Sequence, residues 1–254
     1  MSTPYDLGGR TYVLTGASRG LGLATAEALV GLGANVVVTG RDRGALDAAV
    51  ERLGAAQAVG VEADNADPGA PQEMVAAARG RFGRIDGLLV SVGGPPGGRV
   101  ADITDEQWRS AFDAVFLGAV RIVREIAPEL SDGGSIALVL SSSVRAPIGG
   151  LAISNGLRPG LAMLVKDLAD DLGPRGVRVN ALLPARIDTE RVRYLDGLSG
   201  DADRQRAANE KSIPLGRYGR PEEFGAAAAF LLSPAASYIT GTMLPVDGGA
   251  IRSL

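Results

Sequence analysis

The chain contains no cysteine and no histidine. Without cysteine there is no disulfide and no thiolate to act as nucleophile or ligand. Without histidine the protein lacks the side chain that most often moves protons near neutral pH, and with it the commonest metal ligand. A Ser-His-Asp triad and a histidine-based metal centre are both excluded, and no metal site is expected. Lysine is nearly missing as well, with Lys166 and Lys211 alone. The other cations are arginines, which do not release their proton in ordinary protein sites. Proton transfer is left to a tyrosine, a carboxyl of raised pKa, a lysine, a hydroxyl relay or water. No apolar run approaches the roughly 20 residues of a membrane helix. The start, Met1-Ser2-Thr3-Pro4-Tyr5-Asp6, lacks the basic and apolar regions of a signal peptide. A formal net charge of -3 offers no electrostatic reason for a nucleic-acid or anionic-membrane partner. A soluble, cytoplasmic protein acting on a small molecule is the expectation.

What the chain does contain is a regular alternation of short β-rich runs and longer helical periods. Strands are expected at 12–14, 36–38, 58–61, 87–91, 135–140 and 177–182. Helices are expected at 21–32, 45–53, 72–79, 105–129 and 154–172. Near-continuous apolar strands alternating with helices predict α/β architecture, a parallel sheet covered on both faces. With 254 residues, 46% hydrophobic and 22% charged, and with neither a dividing linker nor a repeat, a single domain over 1–254 is expected. Gly93-Gly94-Pro95-Pro96-Gly97-Gly98 reads as a loop after the fourth strand, beside the ligand cleft. The charged stretch 187–212 reads as a mobile flap.

Between the first strand and first helix stands Thr15-Gly16-Ala17-Ser18-Arg19-Gly20-Leu21-Gly22. Glycines there permit a tight turn and let backbone N–H groups approach a pyrophosphate at the helix N-terminus. This makes the fold Rossmann-like and doubly wound, with a dinucleotide as cofactor. The second strand ends Thr39-Gly40-Arg41. A carboxylate at position 40 would bond the ribose hydroxyls of NAD, and it is absent. Arg19 and Arg41 suit a 2′-phosphate, so NADP(H) is favoured over NAD(H). Asp42 points the other way, because a slight change of register aims it at the ribose.

The spacing of Gly16, Gly20 and Gly22 resembles that of the short-chain dehydrogenase/reductase family, and the resemblance extends over nearly the whole chain. It includes Val179-Asn180-Ala181, Pro184-Ala185-Arg186-Ile187-Asp188-Thr189, the run from Pro214 to Glu223, Ile239-Thr240-Gly241 and Val246-Asp247-Gly248-Gly249. It implies that Asp64, with Asn65, lies at the adenine. It places Gly93 in the loop after strand four, and Ile187 and Thr189 beside the nicotinamide. It also implies a dimer interface on the long helix and the next one, hence a homodimer or homotetramer. Trp108, Phe112, Val115, Phe116 and Ala119 recur on one side of that helix at helical spacing, a stripe that usually faces a core.

The resemblance breaks where the family keeps its chemistry. Its serine is matched by Ser141, with Ser142 and Ser143 adjoining. Its tyrosine, thirteen residues on, is replaced by Ser154, and its lysine, four further, by Arg158. Its helix asparagine falls at Val115. Ser154 and Arg158 are an i, i+4 pair and share one helix face. Ser141 and Ser154 can hold a carbonyl oxygen, and Arg158 can hold the ribose or a substrate anion and supply fixed charge. Tyr194, Lys211, Arg145 and Arg186 are further candidates, whereas Lys166 lies two turns away. The opposing reading makes Ser154-Asn155-Gly156 a helix N-terminus and Arg158 an ion-pair partner. Three functions therefore stand open: an NADP(H)-dependent reductase of a carbonyl or imine, a non-redox enzyme on the same fold, and a non-catalytic NADP-binding protein.

Overall fold

The computed structural model describes residues 3–198 and 200–253. Seven parallel strands form one sheet in the order β3-β2-β1-β4-β5-β6-β7. They are β1 (Thr11–Leu14), β2 (Asn35–Gly40), β3 (Ala58–Glu62), β4 (Gly87–Val90), β5 (Ser135–Val139), β6 (Arg178–Pro184) and β7 (Met243–Val246). The helices are α1 (Gly20–Gly31), α2 (Arg43–Leu53), α3 (Ala70–Phe82), α4 (Asp105–Ala111), α5 (Gly118–Ile126), α6 (Ala152–Leu172), α7 (Glu190–Gly197), α8 (Ala202–Ser212) and α9 (Pro221–Leu232).

Successive residues of a strand point to opposite faces, so each strand feeds two cores. Val13, Leu88, Ile136 and Val179 pack with Met74 of α3, Ile122 of α5 and Val165 of α6. Their neighbours Leu14, Leu89, Ala137 and Leu182 pack with Leu29 of α1 and Phe224 of α9 on the other face. α1 and α9 approach closely because Gly225 has no side chain: a Cβ there would lie 2.4 Å from the Ala24 carbonyl oxygen. Strand order reverses between β1 and β4. In open α/β sheets the crevice beyond the carboxyl ends of the strands at such a switch point is where ligands bind.

Six expected strands and the helices between them are present, with ends shifted by one to three residues. β7 and α9, expected only as sequence segments, complete the sheet and its second helical layer. The expected helix 105–129 is helical throughout but not uniform. A π-helical segment, Phe112–Leu117, separates α4 from α5, and a 3₁₀ turn, Ala127–Glu129, ends the run. The extra residue per turn splits the aromatic stripe: Val115 and Ala119 are buried in the core, while Phe112 is exposed and stacked on Phe116 with ring centroids 5.3 Å apart. The stretch 187–212 forms α7 and α8; Ser199 within it, like Met1, Ser2 and Leu254, lies outside the described residues. No helix among the described residues is long and apolar enough to cross a membrane.

Candidate active site

The loop from β1 to α1 is shaped by its glycines. Gly16 and Gly20 adopt φ of 56°, a left-handed conformation that disfavours other residues. Gly22 is needed for a different reason: a Cβ on it would lie 2.5 Å from the Gly16 carbonyl oxygen. The loop thus folds back on the first turn of α1 and leaves the N-terminus of that helix open toward the cavity. Thr15 fixes the base of the loop, its hydroxyl donating to the Ser91 carbonyl at 2.7 Å and accepting from the Ser91 N–H at 2.9 Å. The buried Asn65 amide reaches both Thr15 Oγ1 and the Ser91 carbonyl at 3.4 Å. Asn65 therefore braces the loop from behind.

A cavity of about 580 Å³ runs from this loop to the start of α6. Gly16, Arg19, Gly20, Leu21, Gly22, Gly93, Ile187 and Thr189 line one part of it, and Ser141, Ser142, Ser154 and Arg158 another. Four of the expected cofactor residues, Ser18, Arg41, Asp64 and Asn65, are outside its wall. Ser18 packs on Gly40, where a Cβ would lie 2.5 Å from the serine Oγ. A side chain at position 40 would require Ser18 to move aside.

The two arginines expected to meet a 2′-phosphate both hold carboxylates. Arg19 Nη2 is 2.5 Å from Asp42 Oδ2, and Arg41 Nη1 is 3.5 Å from Asp64 Oδ2. Asp42 also caps α2 by accepting from the Ala45 N–H at 3.1 Å. That backbone bond, then the Arg19 charge, holds its carboxyl below the usual range. Asp42 is thus fixed by its cap and by Arg19 together.

α6 begins at Ala152, two residues before the expected start, and its N-cap Leu151 supplies no side-chain bond. Ser154 is therefore inside the helix and is not its cap. Its Oγ lies 3.2 Å from Ser143 Oγ. Asn155 has a bracing role, accepting from the Ile148 N–H at 3.0 Å and donating to the Ile148 carbonyl at 2.8 Å. Gly156 makes room for the Trp108 ring and Gly160 for that of Phe116. Ser141 Oγ accepts from the Ser143 N–H at 3.1 Å, which leaves its own proton free to donate.

Arg158 is only 6% exposed, and its one hydrogen bond among the described residues goes from Nη1 to the Val139 carbonyl at 2.8 Å. It has no carboxylate within ion-pair distance among the described residues, so the ion-pair reading is corrected. Burial, and then the nearby charge of Arg191, pulls its pKa down to about 10, which leaves it cationic at neutral pH. Arg178 provides the contrast. That buried arginine donates to the carbonyls of Leu231, Ser233 and Ile239 and so closes the end of α9. An unpaired buried charge costs several kcal/mol. Arg178 is largely satisfied; Arg158 keeps most of its donors facing the cavity.

Arg191 escaped the sequence reading. It lines the cavity, donates from Nη2 to the Pro95 carbonyl at 2.6 Å, and lies so close to Gly94 that a Cβ there would meet its Nε at 2.6 Å. Only the glycine opposite it, in a loop with no charge pattern, could have signalled its place. Of the other candidates, Arg186 lines the cavity but is paired with Asp196 at 3.0 Å. Arg145, Tyr194, Lys211 and Lys166 lie outside the wall, and Lys166 packs toward Gly241.

The sheet order, the glycine loop and the cavity at the switch point together define a Rossmann-like, doubly wound α/β fold. Residues 16–250 match the family described as Enoyl-(Acyl carrier protein) reductase. The chain is 36% identical over 257 residues to L-rhamnose 1-dehydrogenase (NAD(P)(+)) of Azotobacter vinelandii, covering 96% of this chain and 98% of that one. It is 30% identical to the 3-oxoacyl-[acyl-carrier-protein] reductase of Salmonella typhimurium, covering 95% and 97%. The structure of L-sorbose reductase from Gluconobacter frateurii, complexed with NADPH and L-sorbose, superposes with a TM-score of 0.93 at 28% identity, covering 99% and 100%. The chain belongs to the short-chain dehydrogenase/reductase family of oxidoreductases.

Proposed function

We propose that the protein is an NADP(H)-dependent reductase of a carbonyl or imine that works without the family's tyrosine and lysine. The observation that carries this reading is the single cavity joining Gly16, Gly20 and Gly22 to Ser141, Ser154 and Arg158. The loop fits a pyrophosphate: two left-handed glycines, a third whose side chain would close the turn, and an open helix N-terminus. Arg19 and Arg41 would meet a 2′-phosphate, and Gly40 withholds the carboxylate that would oppose it. The relatives bear on the reading through their names, two of them reductases and one in complex with NADPH.

When bound, the reduced nicotinamide supplies a hydride to the acceptor carbon and is itself oxidised. The chain's residues handle the acceptor oxygen or nitrogen. Ser141 donates to it, and Ser154 adds a second hydroxyl. Arg158 contributes a fixed positive charge toward negative charge developing on that atom in a water-poor site. The proton would enter from solvent through the cavity, with the Ser154 hydroxyl, held by buried Ser143, as the last relay. An acceptor that is already protonated, such as an iminium, needs least from this arrangement. Missing a positioned acid costs roughly 100- to 10,000-fold, so turnover is expected to be slow on simple ketones.

The first test is titration with NADPH and NADH, followed by nicotinamide fluorescence and calorimetry. NADPH is expected to bind more tightly. Oxidation of NADPH is then followed with carbonyl and imine acceptors. Ser154→Ala and Arg158→Ala should each lower the rate at least about tenfold. An unchanged rate removes those residues from the mechanism, and turnover without net cofactor consumption would instead make this a non-redox enzyme. The same proposal includes a homodimer or homotetramer contacting through the face of Phe112, and movement of 187–212 on cofactor binding, read by hydrogen exchange.

A further inference from the structure

Two arginines on the wall of the cavity have no carboxylate partner among the described residues. Arg158 is buried, with one backbone carbonyl as its acceptor. Arg191 is partly buried, with one backbone carbonyl as its acceptor and the Tyr194 ring 5.5 Å from its guanidinium carbon. They come from different elements, α6 and α7, and lie close enough for the charge of Arg191 to disfavour that of Arg158. Two like charges on one cavity wall repel, and among the described residues no carboxylate pairs with either. Elsewhere the chain pairs its arginines freely: Arg186 with Asp196, Arg206 with Asp188 and Glu210, Arg217 with Glu223. Arg81, Arg121 and Arg178 also have backbone carbonyls as their acceptors, but none of them lines the cavity; of the four arginines that do, Arg19 and Arg186 are ion-paired and Arg158 and Arg191 are not, among the described residues.

From this, and resting on the reductase reading above, we infer that the substrate is an oxo acid whose carboxylate is held between Arg158 and Arg191, with its carbonyl at Ser141 and Ser154. A guanidinium donates two parallel bonds to a carboxylate, and Arg158 can reach both the carboxylate and the neighbouring carbonyl oxygen. The remainder of the molecule has an apolar place to go. A smaller hollow, with Gly97, Gly98 and Leu198 on its own wall, adjoins the cavity and shares Ile148, Leu151, Leu195 and the ion-paired Arg186 with it. The site therefore suits an acid with a hydrophobic tail.

The test is calorimetric titration of the protein, with and without saturating NADP⁺, using 4-phenylbutyrate and its uncharged twin 4-phenylbutyramide. The carboxylate is expected to bind at least about tenfold more tightly than the amide. Arg191→Gln, at the cavity wall, should erase that preference while changing NADPH affinity by less than about threefold. Arg158→Gln should erase it too, and Arg158→Lys, which keeps the charge in the core, should restore part of it; circular dichroism checks the fold of each. Equal affinity for acid and amide overturns the inference. So does an Arg191→Gln protein that loses NADPH binding and keeps the preference, since the arginine then serves the cofactor. If no nicotinamide cofactor binds but the preference for the acid persists, the reductase reading falls and the anion site stands. If NADPH binds and oxidises with an uncharged ketone but no preference appears, the anion site alone falls.

Discussion

Arg158 occupies a position where a cation is expensive. It is buried, it has no counter-charge among the described residues, and its pKa is depressed by burial and by Arg191. Replacing such a residue with an apolar side chain of similar length should stabilise the fold even as it disables the site. Arg158→Met is expected to raise stability by about 1–3 kcal/mol, read by denaturant unfolding at pH 7, and to lower turnover. A drop in stability would mean that the Val139 bond outweighs the cost of the charge. Asp42 is the other residue with a separable role, because it both caps α2 and competes for Arg19. Asp42→Ser keeps a capping oxygen and removes the charge. NADPH should then bind several-fold more tightly and NADH less so, measured by the same fluorescence titration; the opposite shift would show Asp42 on the ribose. The sequence displayed Ser154 and Arg158 as an i, i+4 pair, but not that Arg158 has a backbone carbonyl and no carboxylate as partner among the described residues. Absence of a counter-charge is a property of three-dimensional packing, and it is invisible along a chain in which arginine and aspartate are both plentiful.

At the scale of elements, the parallel strands and the helices between them were legible because each strand is apolar on both faces and each helix keeps its period. The π segment was not legible. Nothing in Phe112–Leu117 departs from helical composition; Gly118, which follows it, lies so close to Asn65 that a Cβ would be 2.3 Å from its carbonyl oxygen. The start of α6 was misplaced for a related reason: Ser154 and Asn155 have the chemistry of caps but are used for other contacts. Two predictions belong here. Gly22→Ala inserts a methyl 2.5 Å from Gly16 oxygen and should cost roughly 1–3 kcal/mol and about tenfold in NADPH affinity. Retained affinity would mean the loop can open without loss. At the start of α9, Arg217, the Arg220 N–H and the Arg220 charge lower the pKa of Glu223 from 4.5 to about 2. The bonds favour the folded state while the carboxylate is ionised, so their contribution is whole above pH 4.5 and is lost as pH falls toward 2. Glu223→Gln should lower Tm at pH 7, with the deficit narrowing by pH 3. The side chains are largely exposed, so the deficit is small. A deficit independent of pH would assign it to the capping geometry alone.

For the molecule as a whole, two apolar layers enclose one sheet, and the cavity opens where the strand order turns. The sequence announced this cavity through its glycine loop, placed the 93–98 loop beside it and singled out the charged stretch 187–212, yet it did not show that Arg191 of that stretch reaches the wall. The outer face tells of something further. Trp108 and Phe116 fit against Gly156 and Gly160, on the helix that carries Ser154 and Arg158. The reacting helix is thereby keyed to an aromatic ridge whose outermost ring, Phe112, faces solvent. A neighbour pressing on that ridge would set the pitch of α6 as a gear sets its mate. Turnover per subunit should then fall on dilution at concentrations where cofactor still saturates, a coupling between crowding outside and chemistry within.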